Sequence, residues 1–267
     1  MPVRNEAAFI ERSLSSVLAQ TYPKDRIEVI VADGASTDAT REVVAAIAST
    51  SDIPVYIVAN DKQIAPAGLN RAIEAGRGDI FVRVDGHCEI EPNYVAECVK
   101  LLVAGKADGV GGPIETIGEG PVAEAIAIAM SSSFGVGGSA FRTIKDREMY
   151  TDTVAFPGYT REIIQKAGPF NEELVRNQDD EYNYRIRELG GRILLSPAIR
   201  SRYYSRSTFR SLWRQYYQYG YWKVRVLQLH PRQMRLRQFV PSAFVVAVTS
   251  LIVTTAILPI TGLGLLA

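Results

Sequence analysis

Three apolar, β-branched runs, IEVIVADG (27–34), PVYIVAN (54–60) and DIFVRVD (79–85), follow one another with helical stretches between them. Strands that alternate with helices predict an α/β architecture, a mostly parallel sheet flanked by helices. After Asn5, a suitable N-cap, Ile10, Leu14, Val17 and Leu18 recur at helical spacing until the break at Thr21-Tyr22-Pro23. Further helices are expected over 38–48 and 66–75. In such sheets ligands bind beyond the carboxyl ends of the strands. The side chains to inspect are therefore Asn5, Glu6, Asp33 and Asp85. MPV then reads as the tail of a first strand, too short for a central position and so truncated.

Downstream the pattern is less regular. Gly109 to Gly112 reads as a glycine-rich strand end, and 131–150, SSSFGVGGSAFRTIKDREMY, as a mobile loop. A second α/β portion follows, with a helix from about Asp179 to Leu189 that stops at Gly190-Gly191 before the strand RILLS. The segment 207–229 reads as one helix carrying Phe209, Trp213, Tyr217, Tyr221 and Trp222; Arg202, Arg206, Arg210 and Arg214 recur at four-residue spacing, with Arg202 before the helix. Such a basic, aromatic helix fits a membrane interface at headgroup level.

The reason to expect a membrane lies next to it. From Phe239 to Ala267 no residue is charged, a run long enough to cross a bilayer although Pro241 and Pro259 interrupt it. Arg232, Arg235 and Arg237 precede it, which places the rest of the chain in the cytoplasm, at the inner membrane. The expected division is thus 1–205, 206–238 and 239–267. With 30 Lys+Arg against 29 Asp+Glu the formal net charge is +1, so no global field recruits nucleic acid. Two cysteines, Cys88 and Cys98, make neither a disulfide framework nor a zinc quartet and read as reduced core residues.

No G-x-G-x-x-G or Walker-type phosphate cradle follows the first strand; the turn reads PVRNEAAF. A sheet that ends in carboxylates can still hold a diphosphate when a divalent cation bridges the two. Asp85 and His87 flank Gly86, whose backbone can turn sharply enough to aim both at one ion. Oxygen ligands suit magnesium or manganese, and the imidazole favours manganese.

PVRNE, VADGASTD, GLNRAIEAGRGDIFVRVDGH, GYTREIIQKAGPFNEE and QDDEYNYR, in this order, resemble the family-2 inverting glycosyltransferases of the GT-A fold. The resemblance is closest to the bacterial succinoglycan and exopolysaccharide glucosyltransferase branch. It implies that Pro2, Glu6 and Asp33 meet the nucleotide end of a UDP-sugar donor, with Asp33 as the uracil contact. It implies that Asp85 matches the first aspartate of a D-x-D motif that binds metal and diphosphate, with His87 in place of the second. It sets Asp179 at the catalytic base, Asp180 at the variable position beside it, and Glu181 and Arg185 at flanking matches. Acids at a helix start also suit the helix dipole, and Asp180 remains the competing base. Gln215 is the one match to a Q-x-x-R-W acceptor motif, which favours addition of a single sugar over processive synthesis.

The function implied is transfer of a hexose, glucose first, from a UDP-sugar to a lipid-linked oligosaccharide, with other polysaccharide-assembly proteins as further partners. A polyprenyl-phosphate sugar synthase is the alternative enzyme. A non-catalytic membrane scaffold that keeps the fold is the alternative of another class, motivated by His87 and by Gln178 in place of a common glutamate.

Overall fold

The computed structural model describes residues 1–233 and 236–257. The chain forms two compact units, Met1–Leu229 and His230–Ala267.

In the first unit, β1 (Pro2–Val3) leads through α1 (Ile10–Leu18) to β2 (Val29–Asp33), then α2 (Thr40–Ala48), β3 (Val55–Ala59) and α3 (Ala65–Ala75). β1, β2 and β3 form an all-parallel sheet in which Val3 aligns with Asp33 and Asp33 with Ala59. That register brings three carboxyl-terminal strand ends to one line, as the strand–helix alternation requires. α1 buries Ile10, Leu14 and Val17, the residues at helical spacing. It starts later than its expected cap, however. Asn5 sits at φ 54° and its side-chain oxygen accepts the Thr37 amide at 2.8 Å, so it ties two loops together instead of capping the helix.

β4 (Ile80–Val82), β5 (Cys88–Ile90), α4 (Tyr94–Val103), β6 (Gly109–Gly112), β7 (Ile114–Ile117) and α5 (Pro121–Ser131) follow. β4 ends three residues before Asp85, which lies in a turn closed by the Cys88 amide on the Asp85 carbonyl at 3.1 Å. Cys88 and Cys98 are fully buried, as core residues should be. β6 is built of glycines because backbone crosses it: a Cβ on Gly112 would lie 1.5 Å from the Ile199 carbonyl oxygen.

The expected loop at 131–150 is instead structured, with α6 (Ser133–Val136), α7 (Ala140–Thr143) and β8 (Met149–Tyr150). Ser132 caps α6 by accepting the Gly135 amide, Ala140 is buried, and β8 pairs antiparallel with a later strand, Ile193–Leu195. Small and polar residues here make short capped elements, which composition alone does not distinguish from a loop.

β9 (Ala155–Thr160), α8 (Arg161–Ala167), α9 (Gln178–Glu188), β10 (Ile193–Leu195), β11 (Ser201–Tyr204) and α10 (Phe209–Leu229) complete the unit. The strands form a mixed sheet ordered β4-β9-β6-β10-β8 and a small sheet ordered β5-β11-β7. The helix expected at 179–189 is α9, and Gly190 ends it at φ 83°. α9 is seated by Tyr182, which stacks on Phe170 at 3.8 Å between ring centroids and meets Tyr159 edge-on. α10 turns Gln215 and Val226 inward and leaves Phe209, Trp213, Tyr217 and Val224 exposed. At 100° per residue these four fall on one face of the helix.

The second unit holds α11 (Leu236–Ile257), with Pro241 near its start. Its stretch Gln238–Thr255 is 18 residues with a mean hydropathy of 1.6 and none of it buried. At 1.5 Å per residue this is about 27 Å, close to the thickness of a hydrocarbon core. Arg235, the Arg237 side chain and the 258–267 end of the expected membrane segment lie outside the described residues.

Candidate active site

The aligned strand ends open into a cleft of about 710 Å³. Pro2 to Glu6, Asn60 and Gln63 to Ala65 form one wall; Arg83, Asp85 and His87 lie on it; Arg176 and Gln178 and the stretch Tyr204–Ser207 contribute the rest. The loops that frame it are held in sparsely populated backbone conformations. Asn5, Ala35 and Gln63, following β1, β2 and β3, and Asn177, before α9, all have positive φ. Residues held this way concentrate at functional sites.

The two residues that resemblance marks as metal ligands point to different partners. His87 Nδ1 lies 2.9 Å from Glu6 Oε1, and the ring meets Tyr203 edge-on at 5.5 Å. Asp85 is gripped by Arg83, whose Nε donates to Oδ1 at 2.7 Å and NH2 to Oδ2 at 2.9 Å. Burial disfavours the charged forms of both residues, but their partners win. Arg83 holds the Asp85 carboxyl below its ordinary range, and the bond to Glu6 raises His87. Gly86 is the second residue of the tight turn that the Cys88 amide closes on the Asp85 carbonyl, and its φ is not positive. Its need is steric: a Cβ there would lie 2.9 Å from Glu6 Cγ and 3.1 Å from Val3 Cγ1. Glycine lets Glu6 lie against the turn and reach His87.

Among the described residues no three His, Cys, Asp or Glu side chains converge as a metal cluster. A cation that also binds a substrate diphosphate needs only one or two protein carboxylates, its other ligands being phosphate oxygens and water. The carboxylate of Asp85 and the imidazole of His87, both on the cleft wall, fit that mode.

Asp179 is joined to the same point by Arg83 NH1, which donates to its Oδ1. Burial pushes the Asp179 carboxyl up, and Arg83 offsets this only in part because Asp85 adds like charge. Asp180, one residue on, turns the other way and pairs with Lys223 of α10. Glu181 and Arg185 do not line the cleft. Glu181, 2% exposed, accepts from Arg185 at 2.7 Å, and Arg185 also reaches the carbonyl of Ala167 at the end of α8 and that of Pro169 just after it. Asp33 also lies behind the cleft wall: its two oxygens each accept the Ser36 amide at 3.3 Å, and Arg41 approaches to 3.5 Å. Gln215 is buried and donates to Tyr219 at 2.8 Å while accepting from Arg206 at 3.4 Å.

Sequence reasoning singled out Arg206, in the four-residue arginine series, but passed over three other cations of the cleft, Arg4, Arg83 and Arg176. Arg83 left a visible sign, as a charge inside the apolar run DIFVRVD. The others stand in loops, where nothing in the local pattern separates them from solvated residues. Together they oppose Glu6, Asp85 and Glu119 on the cleft walls, a field suited to a phosphorylated ligand.

Residues 1–168 match the model of glycosyl transferase family 2. The succinoglycan biosynthesis protein ExoA of Rhizobium meliloti is 32% identical over 91% of this chain and 73% of its own. A dolichyl N-acetyl-α-D-glucosaminyl phosphate 3-β-D-2,3-diacetamido-2,3-dideoxy-β-D-glucuronosyltransferase of Methanococcus voltae is 26% identical over 95% of this chain and 80% of its own. Among solved structures, the mannosyltransferase PcManGT from Pyrobaculum calidifontis, in complex with GDP-Man and Mn2+, superposes with a TM-score of 0.67 at 22% identity. It is matched over 88% of this chain and 63% of that one, and S. aureus TarS 1–349 over 76% and 58% at a TM-score of 0.56. These are GT-A folds, so the architecture expected from the sequence holds. With the family model covering well over half of its length, the chain belongs to glycosyl transferase family 2.

Proposed function

We propose that this glycosyltransferase moves a hexose, glucose first, from a uridine diphosphate donor to a hydroxyl of a lipid-linked saccharide at the cytoplasmic face of the membrane. The observation that carries the reading is the meeting of Asp85 and Asp179 on Arg83. The residue matched to the donor diphosphate lines the cleft, and the residue matched to the base is joined to it through Arg83, which lines the cleft as well.

In this reading Pro2 and Glu6 flank the nucleotide, and Asp33, the residue matched to the uracil contact, shapes the 34–37 loop from beneath. Asp85 and His87 would hold a divalent cation, manganese or magnesium, which when bound offsets the charge of the leaving diphosphate. Asp179 accepts the proton of the acceptor hydroxyl as that oxygen bonds to the anomeric carbon. The bond from that carbon to the diphosphate breaks, the nucleoside diphosphate departs with the electron pair, and the configuration inverts. The upward shift of its carboxyl suits Asp179 to this role by making its carboxylate a stronger base than an ordinary aspartate. Gln215 supports Arg206 at the cleft rim and stands behind the acceptor side.

The Rhizobium meliloti relative supports an exopolysaccharide context, and the Methanococcus voltae relative, by its name, extends a lipid-phosphate-linked sugar at a hydroxyl. The exposed aromatic face of α10 and the apolar α11 support membrane attachment. The test is transfer of labelled sugar from UDP-glucose, and then from other UDP-hexoses, into a lipid extract. Product that needs Asp179 supports the reading. Equal transfer by Asp179→Asn to a simple polyprenyl phosphate would favour a polyprenyl-phosphate sugar synthase, and no transfer with donor still bound would favour a scaffold.

A further inference from the structure

Arg83 belongs to neither the nucleotide loops nor the acidic start of α9, yet it is the side chain through which they meet. Its side chain is only 10% exposed. Nε and NH2 take both oxygens of Asp85, at 2.7 and 2.9 Å, and NH1 takes Oδ1 of Asp179. This is the two-bond fork that a guanidinium forms and an ammonium cannot. Burying such a cation is unfavourable unless it is fully paired. Here the pairing is with two carboxylates that the proposed reaction needs for other work.

We propose that Arg83 is a positioning residue that holds the Asp85 carboxylate in the absence of donor, yields it to the divalent cation that accompanies a nucleoside diphosphate, and keeps Asp179 in place throughout. The inference rests on the reading of Asp85 as a metal ligand. Arg83 cannot keep both Asp85 oxygens unshared once one of them ligates a cation, so two positive centres compete for one carboxylate. Arg83 is not stranded by the exchange, because Asp179 remains its partner. Competition of this kind has a sign. A merely structural arginine would support the site, and its loss would weaken metal binding or leave it unchanged; a competing arginine lowers metal affinity, and its loss strengthens binding.

The experiment is calorimetric titration of Mn2+ alone into the detergent-solubilised full chain, comparing the wild type with Arg83→Met, Arg83→Lys and Asp85→Asn. Arg83→Met should bind Mn2+ roughly tenfold more tightly while losing transfer activity. Arg83→Lys, which keeps the charge but not the fork, should lie between it and the wild type, and it decides the matter if the methionine variant does not fold. Asp85→Asn should lose the site. Unchanged or weaker Mn2+ binding in the folded Arg83 variants, with Asp85→Asn still losing it, would overturn the role of Arg83 alone. Mn2+ binding that survives Asp85→Asn would remove Asp85 as a ligand, and this inference with it.

Discussion

Lys223 of α10 pairs with Asp180, while the adjacent Asp179 pairs with Arg83 beside Asp85. Two neighbouring carboxylates at one helix start thus face different elements. The division favours Asp179 as the base, since only Asp179 is tied to the residue matched to the donor diphosphate. Asp179→Asn should lower transfer by about 10³-fold, a typical contribution of a general base, and leave UDP binding intact. Asp180→Asn should cost less than about tenfold. Steady-state transfer by the two variants decides it, and equal losses would remove the distinction.

The upward shift of Asp179 carries a linkage consequence. Its folded-state pKa lies above its unfolded value, so between the two the folded chain binds more protons than the unfolded one. The group therefore opposes folding at neutral pH, and that penalty fades as pH falls through the folded value. The melting temperature of Asp179→Asn relative to the wild type should therefore rise with pH across this window and fall as the solution is acidified, on top of a pH-independent loss from taking a partner from Arg83. Thermal denaturation at several pH values measures it; a difference that does not change with pH would contradict the upward shift. The acid limb of transfer should likewise lie above the range of an ordinary exposed aspartate.

Gly86 is required by the approach of Glu6, not by its own backbone angles. Gly86→Ala should push Glu6 aside and break its contact with His87, weakening UDP binding about tenfold with little change in melting temperature. Calorimetry and thermal denaturation of the same preparation separate the two effects.

Phe209, Trp213 and Tyr217 of α10 are 65%, 76% and 67% exposed on one face. Large aromatic residues of this kind suit the headgroup region of a bilayer. In a Trp222→Phe background, Trp213 is the one remaining tryptophan. In nanodiscs its fluorescence should be quenched by lipids brominated near the headgroup more than by lipids brominated deep in the chains. No quenching by either would place this face in water or against another protein.

Much of this architecture is legible in the sequence because strand runs, helix periodicity and glycine stops are local signals. IEVIVADG, the α9 segment and the 207–229 helix all form close to their expected bounds. The 131–150 segment misleads because its short helices depend on Ser132 capping and on burial of Ala140, which are tertiary facts. At the site, Asp85 and Asp179 are visible as motif positions, but their shared partner is 96 residues from one of them. Asp33, Glu181 and Arg185 carry the right residue types, and only packing reveals that they stand behind the cleft wall.

The most direct test of the account is calorimetric binding of UDP to the detergent-solubilised chain with manganese present and with the metal chelated. The account predicts binding with manganese that is lost on chelation and lost in Asp85→Asn. Binding of equal strength with and without metal, or none by folded protein in either condition, would contradict it.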